Sequence, residues 1–484
     1  MIHFRLVGRF IGILILVVAI TMASTVGVSY YYDDGEWQNL AICVSIVFLI
    51  GALLVWFKPP KEKYIGKREG YLVVAFGWLA MSVMSSLPYI FTGIVEHPFE
   101  AFFEAVSGLT TTGASIFKDV EALPESILFW RSLTQWIGGM GIIVLTVAIF
   151  PLFGIGGVEL FTAEAPGPST DKIHPTIQGT AKRLWFIYVG LTLACIGLLY
   201  LAGMSGFDAV NHTFTTMSTG GFSTKNMSIA AFSPLIQYII LIFMFIAGAN
   251  FTVIYYFLVR KFKMVVRNEE FMVYFYFTLF VMAIFTFNIF FIAPGDNSLE
   301  SSFRHGSFQV VSLMTTTGFV TADYTMWTPG LTMMSFFLLF VGASAGSTAG
   351  GIKMIRHVVF VKHIWNAFRH MLHPRAYIRI KVNDNVVSER IVANILVFLM
   401  VYLILFMIGS LFMTVLGMDF ISAMSATATS IGNVGPGLGT VGPIYNFSEV
   451  PLVAKFTLPF FMILGRLELF TILILFAPYF WKVH

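Results

Sequence analysis

Long apolar runs alternate with short polar stretches along the whole chain. The first two runs, residues 4–30 and 40–57, are each long enough at 1.5 Å per residue to cross a hydrocarbon core of about 30 Å. An acidic turn, Tyr31-Tyr-Asp-Asp-Gly-Glu36, separates them. From there a unit repeats four times: a full-length run, a run of about half that length, a short polar string ending in Gly, and a second full-length run. The full runs are 71–92 and 128–150, then 184–204 and 235–259, then 271–292 and one opening near 331, then 391–416 and 452–480. The half-length runs are 98–109, 207–217, 299–314 and 420–429. A dozen residues of helix rise about 18 Å, enough to enter a bilayer but not to cross it.

The strings are Ser107-Gly-Leu-Thr-Thr-Thr-Gly-Ala114, Thr215-Thr-Met-Ser-Thr-Gly-Gly-Phe222, Ser312-Leu-Met-Thr-Thr-Thr-Gly-Phe319 and Thr429-Ser-Ile-Gly-Asn-Val-Gly-Pro436. Gly113, Gly220, Gly318 and Gly435 recur roughly a hundred residues apart, an internal repeat. Re-entrant backbone survives at membrane depth only where it lines water or is buried in protein. Four strings around one axis meet that condition together, which favours a single pseudosymmetric pore lined by main-chain carbonyls. The half-length helices would point their partially negative C-terminal ends at that axis and favour a cation. Small polar residues precede the glycines: Thr111 and Thr112, Ser218 and Thr219, Thr316 and Thr317, with Asn433 and Val434 in the fourth string. No Asp or Glu falls in a string, which argues against a divalent-selective carboxylate ring. One Thr-Thr-Thr-Gly alone reads equally well as a helix ending at a glycine cap; four copies in matching context favour the pore. Gly138, Gly139 and Gly141 read as close helix packing.

Composition agrees. Of 484 residues 57% are hydrophobic and 11% charged, with mean hydropathy +0.83. Soluble domains carry about 25% charged residues, so too few remain here to cover a water-facing surface. The fold class is therefore an all-α polytopic membrane protein with four pseudosymmetric helix, pore-loop, helix repeats around one pore, preceded by two extra helices. The expected units are 1–68, 69–153, 154–267, 268–381 and 382–484, with ten spans and four re-entrant segments. Lys58, Lys61, Lys63, Lys67 and Arg68, then Arg260, Lys261, Lys263 and Arg267, cluster on one side of the spans. That bias places them, the proline-bearing loop 154–182 and both termini in the cytoplasm. The run after Arg5 and Arg9 is too long for a signal-peptide core and reads as a retained span. The basic stretch 353–381 reads as loop charge beside anionic lipid, and nothing points to nucleic acid. Cys43 and Cys195 lie in apolar runs and form no framework. The histidines at 357, 363, 370 and 373 lack a carboxylate or Cys partner set for a metal.

Residues 342–353, Gly-Ala-Ser-Ala-Gly-Ser-Thr-Ala-Gly-Gly-Ile-Lys, interrupt the third return run. A continuous helix over 331–360 would be about 45 Å long, more than a bilayer needs. Its small residues weaken helix propensity, so an unwound intramembrane segment is expected, with a glycine-rich kink as the simpler alternative. Arg466 falls midway along the last run, where a charge is costly and faces a cavity or a partner.

These residues resemble the Trk/Ktr/HKT superfamily of potassium transporters, and within it the bacterial TrkH/TrkG subunits. The likeness covers the whole chain. It rests on the strings and on Trp136-Ile-Gly-Gly-Met-Gly141, on 342–353, on Asn433-Val-Gly-Pro-Gly437 and on Gly465-Arg-Leu-Glu468. It implies potassium uptake across the inner membrane by channel-like permeation. Potassium would bind at Thr111, Thr112, Thr219, Gly220, Thr317, Gly318, Val434 and Gly435, and Gly113 in the first filter goes with potassium preference. It further implies a gate comprising Gly346, Ser347, Thr348, Gly350, Gly351, Lys353 and Arg466, with Arg466 projecting beneath the filter onto the loop. A homodimer and a cytosolic TrkA-type regulatory ring are implied partners; the chain itself needs no cofactor, nucleotide belonging to the ring. A proton- or sodium-coupled potassium symporter is the alternative within this class. A membrane enzyme would need a catalytic motif such as HExxH, GxSxG or a Walker pattern, and none is present. A receptor or scaffold would not need four re-entrant strings.

Overall fold

The computed structural model describes residues 3–56, 66–141, 177–293, 298–376 and 378–482. The two leading helices, Phe4–Tyr32 and Trp37–Trp56, turn back on each other through Asp33 and Gly35, both at positive φ. Gly12 and Gly51 face across this pair: a Cβ on Gly12 would lie 2.7 Å from the Leu54 Cβ and 3.0 Å from the Gly51 carbonyl oxygen. Small residues let apolar helices approach closely where no hydrophobic force drives them together. Leu14, Val18 and Met22 of the first helix share one buried cluster with Trp78, Phe103 and Trp130, so the pair is seated on the first repeat.

Each repeat opens on a long helix: Lys67–Phe91, Ile177–Leu201, Glu269–Phe291 and Glu389–Val415. Phe280, Leu201, Met407 and Leu411 point outward and exposed from these, an apolar surface suited to lipid. The half-length helices follow at Pro98–Leu109, Gly206–Met217, Leu299–Met314 and Phe420–Gly432. Their starts are written locally. Ser205, Ser298 and Asp419 cap the last three by accepting from the amides of Asp208, Ser301 and Ser422 at 3.0, 3.1 and 3.1 Å, and the first opens with Pro at its first turn.

The return helices depart from expectation. The second, third and fourth are broken below the strings, not the third alone, and the first is distorted there. The first runs Glu125–Trp136 into a π-turn at Ile137–Gly141. The second breaks between Pro234–Ala247 and Phe251–Leu258 with a 107° bend, where the Asn250 side chain recaps the helix by accepting from the Thr252 amide at 2.7 Å. The third stops at Leu338 and resumes as Met354–Leu372, with the expected unwound segment between. The fourth breaks after Arg466, again by 107°, with Glu468 and Leu469 both at positive φ. Among the described residues six uninterrupted helices are long and apolar enough to cross a membrane, or eight spans if each bent pair counts as one. Two of the ten expected runs account for the shortfall: the first return run is described only to Gly141, and the third is split. Residues 142–150 of the first return run, most of the loop 154–182, and Lys58, Lys61 and Lys63 lie outside the described residues. A small antiparallel hairpin, Lys381–Val382 with Asn385–Val386, was not anticipated.

Candidate functional site

Every half-length helix ends in the same backbone gesture. The sixth residue of each string donates its amide to the carbonyl of the first: Thr112 to Ser107 at 2.9 Å, Gly220 to Thr215 at 2.8 Å, Thr317 to Ser312 at 2.9 Å and Val434 to Thr429 at 3.0 Å. The fifth residue is left-handed in all four: Thr111, Thr219, Thr316 and Asn433, at φ 53–55°. A β-branched residue there is a real outlier and is held only by strong surroundings. The seventh is a glycine at φ 78–100°: Gly113, Gly221, Gly318 and Gly435. This corrects the alignment read from the sequence. The second string's equivalent of Gly113 is Gly221, and Gly220 matches Thr112, Thr317 and Val434.

The strings close into a ring. A Cβ on Gly113 would run into the Gly220 carbonyl oxygen, one on Gly221 into that of Thr317, and one on Gly318 into that of Val434; one on Gly435 would lie 2.7 Å from that of Thr112. Each contact joins one repeat to the next, and the fourth returns to the first. Only glycine permits this approach of backbone to backbone. The four glycines bound a cavity of about 210 Å³ on the far side of the strings from the half-length helices. Hydroxyl pairs brace two strings from within, Thr110 with Thr112 at 2.7 Å and Thr315 with Thr317 at 2.8 Å. Asn433 donates to the Thr112 hydroxyl at 3.0 Å and to the Met462 carbonyl at 2.8 Å. Ser218 instead donates its hydroxyl to the Phe214 carbonyl at 2.7 Å.

Behind the first string lies a buried ion pair that sequence reading missed. Arg131 donates to Glu104 at 2.8 Å, the side chains being 2% and 0% exposed. The Ile116 amide and the Ser115 hydroxyl complete the Glu104 carboxylate at 3.0 and 3.1 Å, and Arg131 reaches the Ser223 carbonyl of the second repeat at 3.3 Å. Such a pair is tolerated in a low-dielectric site because its remaining hydrogen bonds are met. A Glu and an Arg set in apolar runs were the available signal.

The loop 342–353 packs directly under the ring. The Gly350 amide donates to the Thr316 hydroxyl at 2.7 Å, and the Thr348 hydroxyl donates to the carbonyl of Met217, the last residue of the second half-length helix, at 3.1 Å. Gly346 and Gly351 are at positive φ, and Gly346 accepts from the Phe251 amide at 3.0 Å. Ser347 turns back on the Ser344 carbonyl at 2.6 Å, and Lys353 donates to the Ala349 carbonyl. Glu270, also missed, accepts from the Ala345 amide at 2.6 Å and the Ile355 amide at 3.2 Å, pinning the loop to the third repeat's first helix.

Arg466 does not sit midway along a continuous helix; it is the last residue before the break. It donates to the Thr348 carbonyl at 2.9 Å and to those of Gly138 and Gly139 at 2.6 and 2.7 Å. Gly138 and Gly139 therefore pack closely, as expected, and also present carbonyls. Glu468 pairs with Arg356, whose guanidinium lies 3.9 Å from the Phe398 ring centroid. Arg356 is buried, so it is not loop charge as the basic stretch had suggested.

Helices that enter halfway, four left-handed turns and a closed carbonyl ring define a polytopic membrane protein with one four-repeat pore. The model of the TrkH family, cation transport proteins, matches residues 36–293 and 259–482, and the chain belongs to that family. It is 39% identical to the Trk system potassium uptake protein TrkH of Salmonella typhimurium, over 99% of this chain and 100% of that protein. It is 34% identical to the Trk system potassium uptake protein TrkG of Escherichia coli, over 99% of each. The crystal structure of the potassium transporter TrkH from Vibrio parahaemolyticus superposes with a TM-score of 0.88 at 34% identity, covering 99% of this chain and 100% of that one.

Proposed function

We propose that the chain takes up potassium across the inner membrane by channel-like permeation through the four-string ring. Potassium enters from the cavity of about 210 Å³ and loses water to the ring. The carbonyls of Thr112, Gly220, Thr317 and Val434, with neighbouring oxygens of Thr111, Thr219, Gly318 and Gly435, replace that water. The loop 342–353, with Arg466 against it, closes the path below. The protein works as a homodimer with both termini cytoplasmic, and a cytosolic TrkA-type ring that binds nucleotide moves the loop. The names of the relatives given above, potassium uptake proteins of Trk systems, support the substrate.

The observation that carries this reading is the cyclic contact of each string's glycine with the next string's carbonyl. The test is a bi-ionic current measurement on the purified chain in bilayers, with and without the regulatory ring. Wild type should select potassium over sodium, and Gly113→Ser should lower the ratio. Equal ratios in the two proteins would remove Gly113 from the filter. A zero-current potential that moves with pH would reassign the chain to proton-coupled symport, and one that moves with a sodium gradient to sodium-coupled symport.

A further inference from the structure

The sixth position breaks the ring's symmetry. Thr112, Thr317 and Val434 carry side chains there, and Gly220 does not. Where a side chain on residue 220 would stand, the structure holds Gln135 from the last turn of the first return helix. A Cβ on Gly220 would overlap the Gln135 amide carbon and lie 2.5 Å from Oε1 and 2.8 Å from Nε2. Gln135 is fully buried. Its Nε2 donates to the Gly220 carbonyl at 2.7 Å, and its Oε1 accepts from the Phe222 amide at 3.1 Å. One amide from another repeat thus grips the second string on both sides of Gly221, and the oxygen it grips belongs to the ring.

We propose that Gln135 is a positioning residue that stands in for the second string's absent side chain, and that its N–H makes the Gly220 carbonyl a weaker cation donor than the other three ring oxygens. The inference rests on the filter reading above. A carbonyl keeps a second lone pair after accepting one hydrogen bond, so Gly220 can still face an ion, but with part of its negative potential already drawn on. A ring of lower total field suits a larger, less tightly hydrated cation, since number and field strength of the carbonyl dipoles both enter selectivity. Removing the donor strengthens that quadrant and loosens it, and both changes favour sodium relative to wild type.

The test uses the full chain in proteoliposomes with bi-ionic reversal potentials. Gln135→Leu should fold, conduct, and lose selectivity for potassium over sodium by roughly fivefold, within what two neutral hydrogen bonds can set. Gly220→Thr alone should abolish flux, because the new side chain meets Gln135. Gly220→Thr combined with Gln135→Ala should restore flux, since the threonine then has space and can pair with the Ser218 hydroxyl as Thr112 pairs with Thr110. The rescue tests whether Gln135 fills the space of the missing side chain, and the selectivity ratio of Gln135→Leu tests its effect on the Gly220 carbonyl, which a space-filling role would not move. Wild type without selective current would overturn the filter reading and this inference with it. Selective wild type with an unchanged ratio in Gln135→Leu would overturn the inference alone. Should Gln135→Leu fail to fold, a double variant that elutes as a single species yet stays inactive would overturn it too.

Discussion

Replacing Arg466 with Ala should open the pathway, and the structure bounds by how much. Arg466 meets three carbonyls, at 2.6, 2.7 and 2.9 Å. Two belong to Gly138 and Gly139 in the first repeat's π-turn, a different repeat from the loop. The bond to Thr348 crosses to the loop. A hydrogen bond with one charged partner contributes about 1.5–3 kcal/mol, so at 1.4 kcal/mol per decade the open fraction should rise about 10- to 150-fold. The guanidinium charge beneath the ring also leaves, which can only add to cation flux. Arg466→Lys separates the two effects: it keeps the charge but replaces a planar fork with a point donor that cannot hold three carbonyls on two segments. Its flux should fall between wild type and Ala. The assay is potassium efflux from proteoliposomes holding the purified chain without the regulatory ring. Flux in Arg466→Ala at or below wild type, from protein that elutes as a single species, would refute the assignment of Arg466 to the closed loop.

Three further expectations follow from the geometry. Gly221→Ala should abolish transport, because φ is +78° and its Cβ would strike the Thr317 carbonyl, whereas Gly330→Ala, with no atom within 4 Å, should transport normally; equal flux from both would disprove the closed ring. Glu104→Gln leaves the Arg131 charge buried without its counter-charge and should destabilise the protein by about 3–5 kcal/mol, seen as a lower melting midpoint in detergent; an unmoved midpoint would contradict the pair's role. Burial alone would raise the Asp34 carboxyl, but hydrogen bonds from Ser126 and Ser29 outweigh it and hold the group below its usual value. Its stabilisation is therefore present above the unfolded value near 3.8 and lost as pH falls through the lower folded one. As pH falls below 3.8 wild type should lose more thermal stability than Asp34→Asn does, and parallel losses would assign the acid sensitivity elsewhere.

The half-length helices were legible because their signals are local. The run 299–314 matches the observed Leu299–Met314, capped by Ser298, and the loop at 342–353 followed from its run of small residues. The other breaks were not legible, for different reasons. Leu467-Glu-Leu-Phe470 contains no helix breaker; the chain leaves the helix there because Glu468 turns to Arg356 and Leu469 is fully buried. Tertiary partners override propensity at that point. At Gly220-Gly221 the composition allows either residue to take the left-handed place, and only the backbone shows which does. Gln135 reads as one of several polar residues in its helix, and its role exists only in the space left by a glycine 85 positions away.

Loop and ring form one hydrogen-bonded body. Gly350 holds the hydroxyl of Thr316, and Thr316 is a β-branched residue in a left-handed conformation at the ring's base. Such strain persists only while the surroundings over-determine it. A loop that withdraws takes one of those determinants away from the third string, and the Thr348 bond to Met217 from the second; the Thr111 hydroxyl equivalent to that of Thr316 has no partner among the described residues, and the Thr219 hydroxyl bonds its own chain neighbour Ser218. Opening on the proposed mechanism therefore releases the left-handed residue of the third string. Linkage makes the relation mutual. If the open loop changes how tightly the ring holds an ion, the held ion changes the loop's equilibrium by the same factor. Gate and filter are then two readings of one equilibrium, and the shared atom is the Thr316 oxygen.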